Sequence, residues 1–185
     1  MRPSAVLPVL GVLALIGAIA IADPIAADRW SQILRQGTPA RKREIVRSIV
    51  DSIQRGSEVS IAMARLAVIS DDPAVRAPLI DALIAAKVID KTTAAQVPTA
   101  SALQRRIRQL LPKEKPDQLP AATDCMVTGG TNRGAELTCH VSRCPGSCRH
   151  ETRDLTITTG VRWAVVKDQH RATDDGTCGD CTFVE

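Results

Sequence analysis

CMVTGGTNRGAELTCHV, residues 125–141, is the stretch whose reading decides the fold. Cys125-Met126-Val127-Thr128 reads as a strand, and Glu136-Leu137-Thr138-Cys139-His140-Val141 reads as the strand that returns. Between them, Gly129-Gly130-Thr131-Asn132-Arg133-Gly134 is turn chemistry. Centred on Asn132, the hairpin sets Cys125 opposite Cys139. A directly opposed, non-hydrogen-bonded antiparallel pair has the short spacing that a disulfide uses. The chain downstream continues in this β idiom, and the chain upstream is helical.

Downstream, Asp154-Leu155-Thr156-Ile157-Thr158-Thr159 reads as a strand. Gly160 permits a turn, and Val161 to Lys167 returns with Trp163 and Val165 on one face. A hairpin centred on Gly160 sets residues near 144 against residues near 176. The turn Cys144-Pro145-Gly146-Ser147-Cys148 then approaches Cys178-Gly179-Asp180-Cys181. All six cysteines of the chain lie in this C-terminal part, with none in residues 1–124. An even count in a region of this size points first to disulfides at Cys125, Cys139, Cys144, Cys148, Cys178 and Cys181. Each would contribute a few kcal/mol to a core poor in large apolar groups, about 2–4 on the usual scale. A second chemistry is a structural zinc site. Cys144, Cys148, Cys178 and Cys181, C-x3-C and then C-x2-C on two knuckles, resemble a zinc ribbon, in which four thiolates complete a tetrahedron. The three-residue first gap departs from the common two. A third is thiol–disulfide exchange at Cys178 and Cys181. Against it, Asp174, Asp175 and Asp180 surround the motif and no helix follows to lower a thiol pKa.

Upstream, residues 28–111 carry repeated helix signals. Asp28 can cap a short helix holding Trp30, Ile33 and Leu34. Thr38-Pro39 is an N-cap followed by proline at the first helical position. After it, Ile45, Val46, Ile49, Val50 and Ile53 recur at helical spacing. Gly56 ends that helix, and Ser57 caps one carrying Ile61, Leu66 and Ile69 to about Ser70. Asp72-Pro73 repeats the cap and proline, with Val75, Leu79, Ile80, Leu83 and Ile84 as the apolar face. A last helix covers Ser101 to Leu111.

The two proline-started helices match at an offset of 34 residues, Pro39 with Pro73 and Ile45, Val46, Ile49, Val50 with Leu79, Ile80, Leu83, Ile84. Such a period marks stacked helical hairpins. With Asp71-Asp72-Pro73-Ala74-Val75-Arg76, residues 38–87 resemble HEAT repeats. HEAT units serve as protein-binding scaffolds, so the resemblance implies binding rather than catalysis. A plain helical bundle is the alternative. PKEKPDQLPAA, residues 112–122, holds three prolines and four charged residues in eleven and reads as a linker. The expected fold is therefore α+β in two domains. An all-α domain of helical hairpins, HEAT-like or bundled, covers 28–111, and a small antiparallel β module with six cysteines covers 123–185.

The chain opens Met1-Arg2 and then runs from Pro3 to Ala22 without a charge. One basic residue, an apolar run and the small-x-small pairs Ala18/Ala20 and Ala20/Ala22 fit a signal peptide over residues 1–22. A retained membrane anchor formed by residues 3–22 is the alternative. Both place the remainder outside the cytoplasm, secreted or periplasmic. The zinc-ribbon reading instead calls for an inverted anchor with the soluble part inside.

Aromatic residues make up 2% of the chain, Trp30, Trp163 and Phe183, so the core is aliphatic and base-stacking platforms are scarce. Nucleic acid is not expected as a partner. Charge is uneven: residues 28–116 sum to +7 and residues 117–185 to −3. A basic half suits anionic lipid or an envelope polymer, or is simply a solvated helical surface. His140 and His150 flank the cysteine turn and are candidate metal ligands, with a surface position the commoner case; His170 is the third histidine. Asp174-Asp175-Gly176 reads as a turn. No phosphate loop, G-x-S-x-G or H-E-x-x-H occurs. The sequence thus points to a non-enzymatic exported binding or scaffold protein without a cofactor, zinc being the alternative. Its expected partner is a protein or envelope component, with membrane contact through the N-terminal segment.

Overall fold

The computed structural model describes residues 24–131, 134–143 and 149–174. Among these described residues six helices precede four strands: α1 Pro24–Gln36, α2 Pro39–Gln54, α3 Glu58–Ala67, α4 Pro73–Ala85, α5 Lys91–Gln96 and α6 Ala100–Leu110. The strands are β1 Cys125–Thr131, β2 Gly134–Arg143, β3 Arg149–Thr158 and β4 Ala164–Asp174, in one antiparallel sheet of order β1-β2-β3-β4. The class is α+β. Among the described residues no helix is long and apolar enough to cross a membrane.

Local chemistry accounts for most helix ends. The Thr38 hydroxyl accepts from the Arg41 amide at 3.4 Å, Ser57 from Ser60 at 3.3 Å, and the Asp72 carboxylate from Ala74 at 3.0 Å. Each satisfies an amide that the first helical turn leaves without an intrahelical partner. Gly56 ends α2 at φ 81°, a left-handed conformation glycine takes without a Cβ penalty. Three elements differ from expectation. α1 begins at Pro24 rather than at an Asp28 cap, because proline is already set for the first helical position. α3 stops at Ala67, short of Ser70. α5 is a six-residue helix that the apolar spacing does not announce; Asp90 caps it by accepting from the Thr93 amide at 2.6 Å.

α2–α3 and α4–α5 form successive helical hairpins, and α2 packs on both α3 and α4. Their buried seam is Val46, Ile49, Ile53, Val75, Leu79 and Leu83. Fully burying side chains of this kind contributes about 1.5–3 kcal/mol each.

Strand alternation is equally clean. Val127, Ala135, Leu137, Cys139, Leu155 and Ile157 are fully buried on one face of the sheet. Thr138, His140, Asp154, Thr156 and Lys167 stand at the intervening, more exposed positions. Cys125 pairs with Cys139 in the β1–β2 ladder, as a hairpin centred on Asn132 requires. The agreement depends on a β-bulge. Beyond Thr128 the register shifts by one, so Gly129 pairs with Glu136 and Thr131 with Gly134. The β3–β4 hairpin departs from a Gly160 centre. Thr158 pairs with Ala164, and a second bulge at Val166 sets Arg149 against Asp174. The turn therefore takes residues 159–163 rather than one glycine.

Segment 112–122, read as a linker, is held down. Gln104 of α6 donates to the Pro120 carbonyl at 3.2 Å and accepts from the Ala122 amide at 2.8 Å. Pro116–Gln118 and Ala122–Asp124 are 3-10 turns. Helices and sheet bury one continuous cluster, from Ile49 and Leu83 through Leu103 and Ile107 to Val127, Leu137 and Ile157. The junction is close: a Cβ on Gly130 would lie 1.8 Å from the Thr93 hydroxyl oxygen of α5. The Thr159 hydroxyl donates to the Gln96 carbonyl at 2.9 Å and accepts from the Ala135 amide at 3.1 Å.

Candidate binding cleft

Asp71-Asp72-Pro73-Ala74-Val75-Arg76, the stretch that carries the resemblance to HEAT repeats, proves to be a local organiser. Asp72 caps α4 and also meets Lys42 of α2 at 3.4 Å. Asp71 reaches the start of α6, accepting from the Ser101 amide at 3.0 Å and the Ser101 hydroxyl at 2.6 Å. These Ser101 hydrogen bonds hold the Asp71 carboxyl below its ordinary pKa. Arg76 donates to the carbonyls of Val68 at 3.0 Å and Pro98 at 2.7 Å, and to that of Val97. One guanidinium thus gathers the end of α3 and the α5–α6 turn. Burial lowers its pKa from the ordinary arginine value, and Asp71 opposes that shift.

This arrangement leaves a cleft of about 580 Å³ between α1, α3 and the α3–α4 turn. Leu34, Ile69 and Val75 form its buried floor, and Met63 and Ala67 of α3 form a wall. Arg35, Lys42, Asp71 and Asp72 supply charges of both signs, and Ser31, Ser70 and Thr123 supply hydroxyls. The volume lies in the range of ligand pockets, roughly 300–1,000 Å³. Leu66, expected on the apolar face of α3, is instead 46% exposed at the edge of this cleft. Helical spacing marks Leu66 and Ile69 equally. Only the approach of neighbouring elements decides that Ile69 is buried.

The sequence-derived candidates fall in other places. Cys125 and Cys139 form a disulfide with an S–S distance of 2.06 Å, and both are fully buried. Cys144, Cys148, Cys178, Cys181, Asp175 and Gly176 lie outside the described residues, as do residues 1–22. His140 of β2 meets the Asp154 carboxylate of β3 at 2.7 Å through Nδ1, on the exposed face of the sheet. His150 stands in β3 opposite Thr173, and His170 Nε2 lies 3.3 Å from Asp168. Among the described residues no three His, Cys, Asp or Glu side chains gather as a metal site.

One cluster carries no sequence signature at all. Arg153 of β3 is buried, forks onto Asp168 at 2.9 and 2.7 Å, and approaches Glu114 of segment 112–122 at 3.4 Å. The Arg153 hydrogen bonds hold Asp168 below the ordinary carboxylate pKa, and Asp168 in turn raises that of Arg153. This network fastens the segment to the sheet. No family model, curated protein or solved structure matches this chain.

Proposed function

We propose that this chain is an extracytoplasmic, non-enzymatic binding protein whose helical part grips a partner protein through the α1–α3 cleft. The cysteine-bearing β part, residues 123–185, serves as its disulfide-stapled base. The observation that carries the reading is the cleft: an aliphatic floor, an unburied Leu66 at its edge, and a rim of mixed charge and hydroxyls. A peptide segment offers the complementary set, an aliphatic side chain for the floor and polar backbone for the rim. The charge-free Pro3–Ala22 run supports export. A buried Cys125–Cys139 disulfide is compatible with an oxidising compartment.

Two experiments test the two halves of the reading. A photocrosslinking amino acid placed at Leu66 should yield discrete protein adducts in the native host, and one at Arg47 should not. Ala67→Trp, which fills the cleft, should abolish them. Adducts equal at both positions, or indifferent to Ala67→Trp, overturn the cleft as the binding site. For compartment and staples, cysteines of the protein recovered from its host should resist alkylation until reduced; six thiols free from the outset overturn that half.

A further inference from the structure

A second surface, distant in sequence from the cleft, gathers around the β3–β4 turn. Its base is pinned. The Thr159 amide donates to the Ala135 carbonyl at 2.8 Å, and the Thr159 hydroxyl joins Ala135 and Gln96. From this anchor the turn projects Val161, whose relative exposure of 105% is that of an extended peptide. Arg162 beside it is exposed, and Trp163 is half-buried. The Arg106 guanidinium lies 5.8 Å from the centroid of the Trp163 ring, which places α6 against the turn. α6 buries Leu103 and Ile107 and carries Arg105, Arg106 and Arg108 exposed, with no acidic residue in ASALQRRIRQL. Residues 159–163 add another arginine and no acid.

We infer that this surface docks on an anionic lipid bilayer, with Val161 and Trp163 entering the headgroup–acyl boundary and the arginines on phosphate. α6 and residues 159–163 together carry four exposed arginines and no acidic residue, a charge that complements a negatively charged plane. Val161 gains nothing from water or from a phosphate backbone, yet it gains burial in lipid. Tryptophan beside it suits the interface, its ring apolar and its N–H polar. A nucleic acid would want stacking platforms in series, and among the described residues this surface has one ring. The cleft plays no part in this inference, and either reading can fail without the other.

The test reads Trp163 itself. In the full chain with Trp30→Phe, Trp163 emission should shift to the blue and be quenched by brominated acyl chains. The vesicles are mixed phosphatidylglycerol and phosphatidylcholine; pure phosphatidylcholine should give little quenching, and added salt should weaken the anionic result. Each arginine at such a surface is worth about fivefold in partition, so Arg105→Gln/Arg108→Gln/Arg162→Gln should lose on the order of a hundredfold. Val161→Asp should reduce quenching depth as well. The control Arg41→Gln/Arg43→Gln/Arg47→Gln removes the same charge from α2 and should lose far less. Vesicle flotation of the Trp30-containing protein gives the same ranking if Trp30→Phe does not fold. Unquenched Trp163 with anionic vesicles overturns the proposal, as do equal losses in the two triple variants. Binding of a protein or nucleic acid that the first triple variant abolishes, with Trp163 still unquenched by lipid, assigns the surface elsewhere and also overturns it.

Discussion

Arg153→Ala is the perturbation that most directly probes how segment 112–122 is fixed to the sheet. The Arg153 side chain is 9% exposed, whereas its partners Asp168 and Glu114 are 33% and 32% exposed. Stripping one partner from a fully buried pair costs about 3–5 kcal/mol, and an exposed pair is worth about 0–1 kcal/mol. Here the buried member is removed and the two carboxylates left behind can still reach water. The expected loss lies between those limits, about 2 kcal/mol. For a chain of this size that lowers the melting temperature by about 4–8 °C. A double-mutant cycle with Asp168→Asn should return a coupling of about 1 kcal/mol, since the two residues share two charge-assisted hydrogen bonds. The pH dependence has a definite sign. Asp168 is depressed in the folded state, so its contribution is complete above the unfolded carboxylate pKa, about 3.9, and is lost as pH falls through the depressed folded value. The gap between wild type and Arg153→Ala should therefore be full at neutral pH and narrow in acid. Urea titrations with disulfides intact, at neutral and acidic pH, measure both quantities. Equal midpoints at neutral pH, or a gap that widens in acid, would refute the reasoning.

Three further outcomes follow from the packing. Replacing Cys125 and Cys139 together by alanine should lower stability by about 2–3 kcal/mol, read by thermal unfolding, because their bridge closes a short loop in the unfolded chain. Gly130→Ala drives a Cβ to 1.8 Å from the Thr93 hydroxyl and should cost about 1–3 kcal/mol in chemical denaturation. Gly129→Ala, with nothing within 4 Å of the added carbon, is its control and should cost far less. Lys87 follows α4 at φ 58°, where an L side chain is disfavoured, so Lys87→Gly should raise stability by about 0.5 kcal/mol, detectable as a higher urea midpoint.

The parts of the fold that were legible share a short range. Thr38, Ser57 and Asp72 cap helices through amides two or three residues away, and proline and glycine act on their own φ. The Cys125–Cys139 register follows from a turn between two alternating strands together with the Thr128 bulge, without which Cys125 would face His140. α5 escaped because six residues hold too few apolar positions for a period, although Asp90 with Thr93 marks its start. The β3–β4 register differs from a Gly160 centre because the turn takes residues 159–163 and a bulge falls at Val166, where the sequence carries no turn residue. The cleft had no signature, since its lining joins Leu34 and Arg35 of α1, Lys42 of α2, Met63 to Val75 and Thr123, positions that no local spacing relates.

The amino-acid sequence by itself determined that helices precede an antiparallel sheet, where most of them start, and that Cys125 faces Cys139. Those outcomes need only neighbours in the chain, whose steric and hydrogen-bonding demands act before any long loop closes. The tertiary structure decided that segment 112–122 lies against the sheet through Glu114 and Arg153. It also decided that at the cleft Leu66 is left exposed while Ile69 is buried, and that α6 comes to rest beside Trp163. Each of these joins groups far apart in the chain, and burial or charge pairing stabilises them only once the whole core has closed.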